Sequence, residues 1–231
     1  MSLVEERPAP ADSGSLCYAD ARRAMIDSQL RTSGVNAPAV LNAFNAVARE
    51  TFVGEDRHAV AYADRAIHLS GGPLDGARVL APAVTHGQML EAAAPRAEDR
   101  ALLIGGGTGY LAALLVQMVG TLTVIEDNTA LLARVPVRSG TWHEGPLTAG
   151  WAAAAPYSLI VIDGAVEQLP QAIADQLAPD GRVVTGLLER GVTRLAEGRK
   201  SVAGPAVAFA VLGEADFAKL AAFAAVKPWS F

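Results

Sequence analysis

Hydrophobic positions change period several times along the chain, and each change marks an element. Between Ala19 and Arg31, the residues Met25, Ile26 and Leu30 recur at helical spacing, and Gly34 is placed to stop the helix. A second helix is expected after Asn36 as N-cap, with Pro38 in its first turn and Val40, Leu41, Phe44 and Val47 along one face. From Thr51 to Pro82 the periodicity lapses, through Ala61-Tyr62-Ala63-Asp64 and Ser70-Gly71-Gly72-Pro73. A long irregular stretch ahead of a glycine-rich bend predicts a substrate-facing lid. Thr85 reads as the cap of a helix reaching Ala94, with Pro95 ending it.

From Arg100 onward the pattern alternates. Strand character in Leu102-Leu103-Ile104 is followed by a helix from Leu111 to Met118, then by a strand Leu122-Thr123-Val124-Ile125. Further buried strands are expected at Leu159 to Ile162 and at Gly181 to Val184, with a helix from Pro170 to Leu177 between them. This alternation predicts an α/β fold of Rossmann-like type, a mostly parallel sheet with helices on both faces. Val192 to Glu197 and Ala206 to Leu212 predict a C-terminal antiparallel hairpin at the sheet edge. Met1 to Ser15 lacks apolar periodicity and reads as a flexible tail, leaving 16–231 as one domain with an N-terminal helical extension over 16–95.

Composition narrows the function classes. The 231 residues are long enough to bury a sizeable core, and 51% of them are apolar. No apolar run has the length of a membrane span and no secretory signal is evident, so a cytoplasmic protein without a membrane partner is the expectation. The net charge of −5 argues against a nucleic-acid partner, and the basic residues Arg190, Arg194, Arg199 and Lys200 are accounted for by a solvated hairpin. Cys17 is the only cysteine, and His58, His68, His86 and His143 are dispersed without ligand spacing, so no metal site is expected.

The candidate chemistry lies in Gly105-Gly106-Gly107-Thr108-Gly109, between the first strand and its helix. Glycines there let a ligand approach the backbone and the positive end of the following helix. Glu126 ends the next strand, 21 residues beyond Gly105, an offset at which a carboxylate can accept both hydroxyls of a ribose. Tyr110 stands where a dinucleotide fingerprint needs a third small residue, and the Gly-Lys-Ser/Thr ending of a P-loop is absent. The remaining Gly-x-Gly-x-Gly pattern is the one associated with S-adenosylmethionine. A bend packed on its sheet also explains the glycines, and a solvated strand end also explains Glu126. Asp163-Gly164-Ala165 follows a buried strand at its carboxyl end, where open sheets place ligands. Asp163 there is a candidate to orient a substrate or the methionine amine, or a turn cap. His86 faces either the reaction centre or solvent, and solvent is the simpler expectation.

Several ordered motifs resemble the protein-L-isoaspartate O-methyltransferase family. Met25-Ile26-Asp27-Ser28-Gln29-Leu30 is similar to its opening helix, and Val47-Ala48-Arg49-Glu50-Thr51-Phe52-Val53 to its Val-Pro-Arg-Glu-x-Phe-Val signature. Ala61-Tyr62-Ala63-Asp64, Gly150-Trp151, Ala155-Pro156-Tyr157, Gly164-Ala165 and Gly181-Arg182-Val183 continue the likeness in order. The resemblance implies S-adenosylmethionine as cofactor, bound by Gly105, Gly106, Gly107, Thr108, Gly109 and Glu126. It implies as partner an isoaspartyl-containing protein or peptide, whose free carboxylate is methylated as the first step of repair. Three positions depart from the family. Leu80 occupies the place of its catalytic serine, Leu103 that of an acid opening the cofactor loop, and Gly145-Pro146-Leu147 that of a Gly-Asp-Gly. These departures keep two alternatives in view, a non-catalytic paralogue that binds protein and a methyltransferase with another acceptor.

Overall fold

The computed structural model describes residues 13–69, 78–201, 204 and 206–225. Most of the expected tail and the Ser70-Gly71-Gly72-Pro73 stretch lie outside the described residues. The first helix, α1 (Ser13–Met25), begins inside the expected tail, continues through a π-turn over Ile26–Leu30, and ends at Gly34, which takes φ +87°. In α2 (Pro38–Ala46), Pro38 stands in the first turn as expected, but Ala37 is the N-cap rather than Asn36. The Glu91 carboxylate substitutes for a local cap, accepting from the backbone N–H groups of both Asn36 and Ala37. A carboxylate at a helix N-terminus satisfies orphan donors and the dipole together.

The expected lid holds more order than its sequence suggested. Two 3-10 turns, Arg49–Phe52 and Glu55–Val60, lead into a two-stranded antiparallel ribbon of β1 (Ile67–His68) and β2 (Val79–Leu80). Buried Arg49 holds this region to the rest, donating from Nε to Ala61 O at 2.8 Å and from Nη2 to Ala81 O at 2.6 Å, and lying over the Tyr110 ring. Tyr62 donates to Glu50 and receives from Arg22, so both family-like motifs here do structural work.

Next come α3 (Ala83–Ala93), β3 (Arg100–Ile104), α4 (Tyr110–Leu115), β4 (Thr121–Glu126), α5 (Thr129–Leu132) and β5 (Thr141–Glu144). The chain closes with β6 (Tyr157–Val166), α6 (Gln171–Ala174), β7 (Leu177–Glu189), β8 (Val192–Lys200) and β9 (Val207–Glu214). Thr85 lies inside α3 rather than at its cap; it is buried, and its hydroxyl donates to Asp216 O.

The strands form one sheet in the order β5-β4-β3-β6-β7-β8-β9. Pairing is parallel from β5 to β7 and antiparallel for β8 and β9, which are the expected hairpin at the edge. Alternation along each strand divides the core. Ala101, Leu103, Leu159 and Val161 enter a cluster with α2, α3 and α4 on one face, whereas Leu102, Ile104, Ile160 and Ile162 join Leu147, Ile173 and Phe223 on the other. After β5 the chain crosses back to β6, so the strand order reverses between β3 and β6. Open α/β sheets bind ligands outside the carboxyl ends of the strands at such a point.

A strap after β9 covers part of that end. Ala165 N donates to Ala218 O at 2.7 Å and Ala165 O accepts from Leu220 N at 3.0 Å, while Thr193 donates to Ala215 O. The opposite end is closed by the forked pair of Arg182 and Asp99, with Arg182 also donating to Ala93 O and Ala94 O behind α3.

Candidate active site

The β3 strand delivers a tight bend. Gly105, Gly107 and Gly109 take φ of +84°, +56° and +100°, values that a side chain strains to adopt. Gly106 is excluded from substitution for a different reason, since a Cβ there would stand 2.5 Å from Val124 Cγ1 and 2.7 Å from the Trp142 ring. Gly105 N and Gly106 N donate to Ile125 O, and Gly109 N donates to Gly106 O. Thr108 is buried, its hydroxyl donating to Phe52 O at 2.7 Å, so it ties the bend to the Arg49–Phe52 turn. These residues therefore come together at the carboxyl end of β3, as the sequence pattern requires.

Glu126 ends β4 beside the bend, fully buried. Its Oε2 accepts from Gly107 N at 2.6 Å, and its Oε1 from Asp127 N at 3.1 Å and Asn128 N at 3.0 Å. Arg78 forks onto the same carboxylate, Nη1 to Oε1 at 2.8 Å and Nη2 to Oε2 at 2.7 Å, and Nη1 also reaches Asp127 Oδ1 at 3.2 Å. Burial pushes the Glu126 pKa up, opposed first by the Arg78 charge and then by the Gly107 and Asn128 N–H groups. Arg78 was not among the residues singled out from the sequence. The signal that could have found it is a cation two positions before Leu80, in a segment read as a lid over the bend.

Across the switch point, Asp163 lies near the carboxyl end of β6, and its Oδ1 is 3.0 Å from His86 Nε2. His86 is fully buried, against the expectation of a solvent-facing ring; α3 packs it beneath the sheet end, with the Tyr110 ring 5.8 Å away. Gly164 and Ala165, expected beside the substrate, are covered by the strap: a Cβ on Gly164 would meet Leu220 Cγ at 2.5 Å, and both backbone groups of Ala165 are bonded to strap residues.

Two of the departures from the family pattern, Leu80 and Leu103, are filled with apolar packing, whereas Pro146, at the aspartate position of the third, is exposed beside buried Leu147. Leu80 is 3% exposed, paired with Ile67, and Leu103 and Leu147 are buried in the two cores. Glu144 is exposed and accepts from Thr129. The left-handed glycines and the acid ending β4 are the features a nucleoside of the S-adenosylmethionine type requires, while Leu69, Val135 and Trp142 stand within 3.5 Å of the Cβ positions of Gly107 and Gly109. The Glu126 carboxylate is already fully engaged, five N–H donors meeting two oxygens with about four lone-pair sites between them, so a ribose reaches it only by displacing some of them.

Comparison with known proteins agrees with the sequence motifs. Residues 20–213 match the family described as protein-L-isoaspartate(D-aspartate) O-methyltransferase. The protein-L-isoaspartate O-methyltransferase 1 of Rhodopseudomonas palustris is 32% identical over 191 residues, covering 80% of this chain and 76% of that protein. The protein-L-isoaspartate O-methyltransferase of Methylorubrum extorquens is 37% identical over 180 residues, covering 72% of this chain and 73% of that one. Among solved structures, a protein-L-isoaspartate O-methyltransferase superposes with a TM-score of 0.74 at 20% identity, covering 86% of this chain and 65% of that chain. A Plasmodium falciparum structure titled as a putative member, in complex with S-adenosyl-L-homocysteine, gives a TM-score of 0.71 at 16% identity, covering 86% of this chain and 97% of that chain. At these identities the two structures establish the fold.

Proposed function

We propose, on the premise that this chain belongs to the protein-L-isoaspartate(D-aspartate) O-methyltransferase family, that it is an S-adenosylmethionine-dependent protein carboxyl O-methyltransferase. Its acceptor is the free carboxylate of an isoaspartyl residue in a damaged protein or peptide. The observation that carries this reading is the placement of Glu126 at the end of β4 beside the Gly105 to Gly109 bend, which leaves β3 where the strand order reverses.

In this reading Gly105, Gly106, Gly107, Thr108 and Gly109 shape the cofactor loop and Glu126 is the ribose acceptor. Asp163, held by His86, is the polar group on the acceptor side, with Gly164 and Ala165 following it beneath the strap. No serine is available at Leu80 to hold a carboxylate, so orientation of the acceptor falls to other groups at the sheet end. Methyl transfer to a carboxylate needs alignment and exclusion of water more than a strong base, and the buried surroundings of Glu126 and His86 support this. We further assign a cytoplasmic location and no nucleic-acid partner, and treat residues 16–231 as one methyltransferase domain.

The test is methyl transfer from labelled S-adenosylmethionine to an isoaspartyl peptide and to its normal aspartyl twin. Selective labelling of the isoaspartyl peptide is expected. Equal background labelling of both would overturn the repair assignment.

A further inference from the structure

This inference rests on the methyltransferase reading and concerns how its cofactor site is controlled. Of the five donors on Glu126, three are backbone N–H groups, those of Gly107, Asp127 and Asn128. These are fixed by the ends of β3 and β4, so any further donor to the carboxylate must take a position that the remaining two now hold. The other two come from one side chain, Arg78, which enters from the β1–β2 ribbon and is 14% exposed.

A fork of two parallel N–H donors at 2.7 and 2.8 Å is the geometry with which arginine grips a carboxylate, and it spans both oxygens as the two hydroxyls of a ribose would. The guanidinium also lies against the bend: Nη2 would be 3.2 Å from a Cβ on Gly105. The same ribbon covers the neighbouring glycine, with Leu69 Cδ1 3.5 Å from the Cβ position of Gly107 and Leu69 O bonded by Arg134.

We propose that Arg78 is a built-in occupant of the ribose subsite, an autoinhibitory contact that a nucleoside must replace before the site is formed. Binding is then an exchange in which the Arg78 fork leaves Glu126 and a sugar diol takes its two oxygens. Affinity for the nucleoside is set partly by how readily Arg78 is released, since a site competent only in a minor state binds in proportion to that state's population.

The experiment is calorimetric titration of the full chain and its Arg78→Ala, Arg78→Met and Arg78→Lys variants with S-adenosylhomocysteine, with far-UV circular dichroism to check folding. Arg78→Met keeps the aliphatic stem and gives the reading if the alanine variant does not fold. The expected result is binding at least about tenfold tighter in Arg78→Ala or Arg78→Met than in the parent, with Arg78→Lys between. Equal or weaker binding in the folded variants would overturn the inference and leave the methyltransferase reading intact. Absence of heat from parent and variants alike at millimolar ligand would overturn both.

Discussion

Arg182 and Asp99 meet as a fork at the amino end of the sheet, Nη2 to Oδ2 at 2.6 Å and Nη1 to Oδ1 at 3.2 Å, both side chains buried. Ser158 and the Arg96 N–H complete the carboxylate's partners. Removing Asp99 strands a buried cation, so Asp99→Ala is expected to cost about 3–5 kcal/mol in denaturant unfolding. A loss under about 1 kcal/mol would mean that Arg182 finds solvent or another acceptor.

The same carboxylate carries a pH signature. Burial works to raise the Asp99 pKa, but the bonds from Arg182, Ser158 and Arg96 outweigh it and hold the value below the ordinary one. A depressed carboxylate pKa contributes stability that is fully present above the unfolded-chain value of about 3.9 and is lost as pH falls through the folded value. Denaturant midpoints followed into the acid range should therefore fall less steeply for Asp99→Asn than for the parent. Identical acid slopes would assign the dependence to other groups.

At Gly106 the limit is space. An added methyl would meet Val124 and Trp142 inside van der Waals contact, so Gly106→Ala is expected to lose about 1–3 kcal/mol of stability and to weaken S-adenosylhomocysteine binding as the bend shifts. An alanine variant with parental stability and affinity would show that the Trp142 ring moves aside freely.

Leu80 offers a sharper test of the family comparison. Its side chain is sealed in the core between the ribbon and the sheet, so Leu80→Ser should cost about 2–5 kcal/mol without raising methyl transfer to an isoaspartyl peptide. A gain in kcat would mean that this position faces the acceptor when ligands are bound.

Asp163 is expected to matter for turnover. Loss of a hydrogen bond made by a charged group is worth about 1.5–3 kcal/mol, so Asp163→Asn should lower kcat/KM for an isoaspartyl peptide by roughly 10- to 100-fold. Unchanged kinetics in the folded variant would confine the His86–Asp163 pair to packing.

The sheet was legible because its strands are short apolar runs separated by glycine, proline and helical stretches. The position of Glu126 was legible because strand and bend lengths fix the offset. What escaped the sequence depends on contacts between distant segments. The Glu91 cap on α2, the burial of Thr85 and His86 in α3, and the strap on Gly164 and Ala165 each join residues far apart in the chain. Strand β5 was missed because Thr141-Trp142-His143-Glu144 is half polar at a sheet edge. The Arg78 fork on Glu126 escaped for the same reason as the Glu91 cap, since it joins residues 48 positions apart across a segment without periodicity.

The strap has a consequence for the order in which the molecule is made. Strands β3 to β7 can pair as they leave the ribosome, but the Ala165 backbone groups and the Gly164 surface stay bare until residues 215–220 follow. A chain stopped after β9 would carry a nearly finished sheet with the carboxyl end of β6 still uncovered. The end of β6 is therefore completed by a segment that follows it by about fifty residues, Ala218 and Leu220 supplying both partners of Ala165.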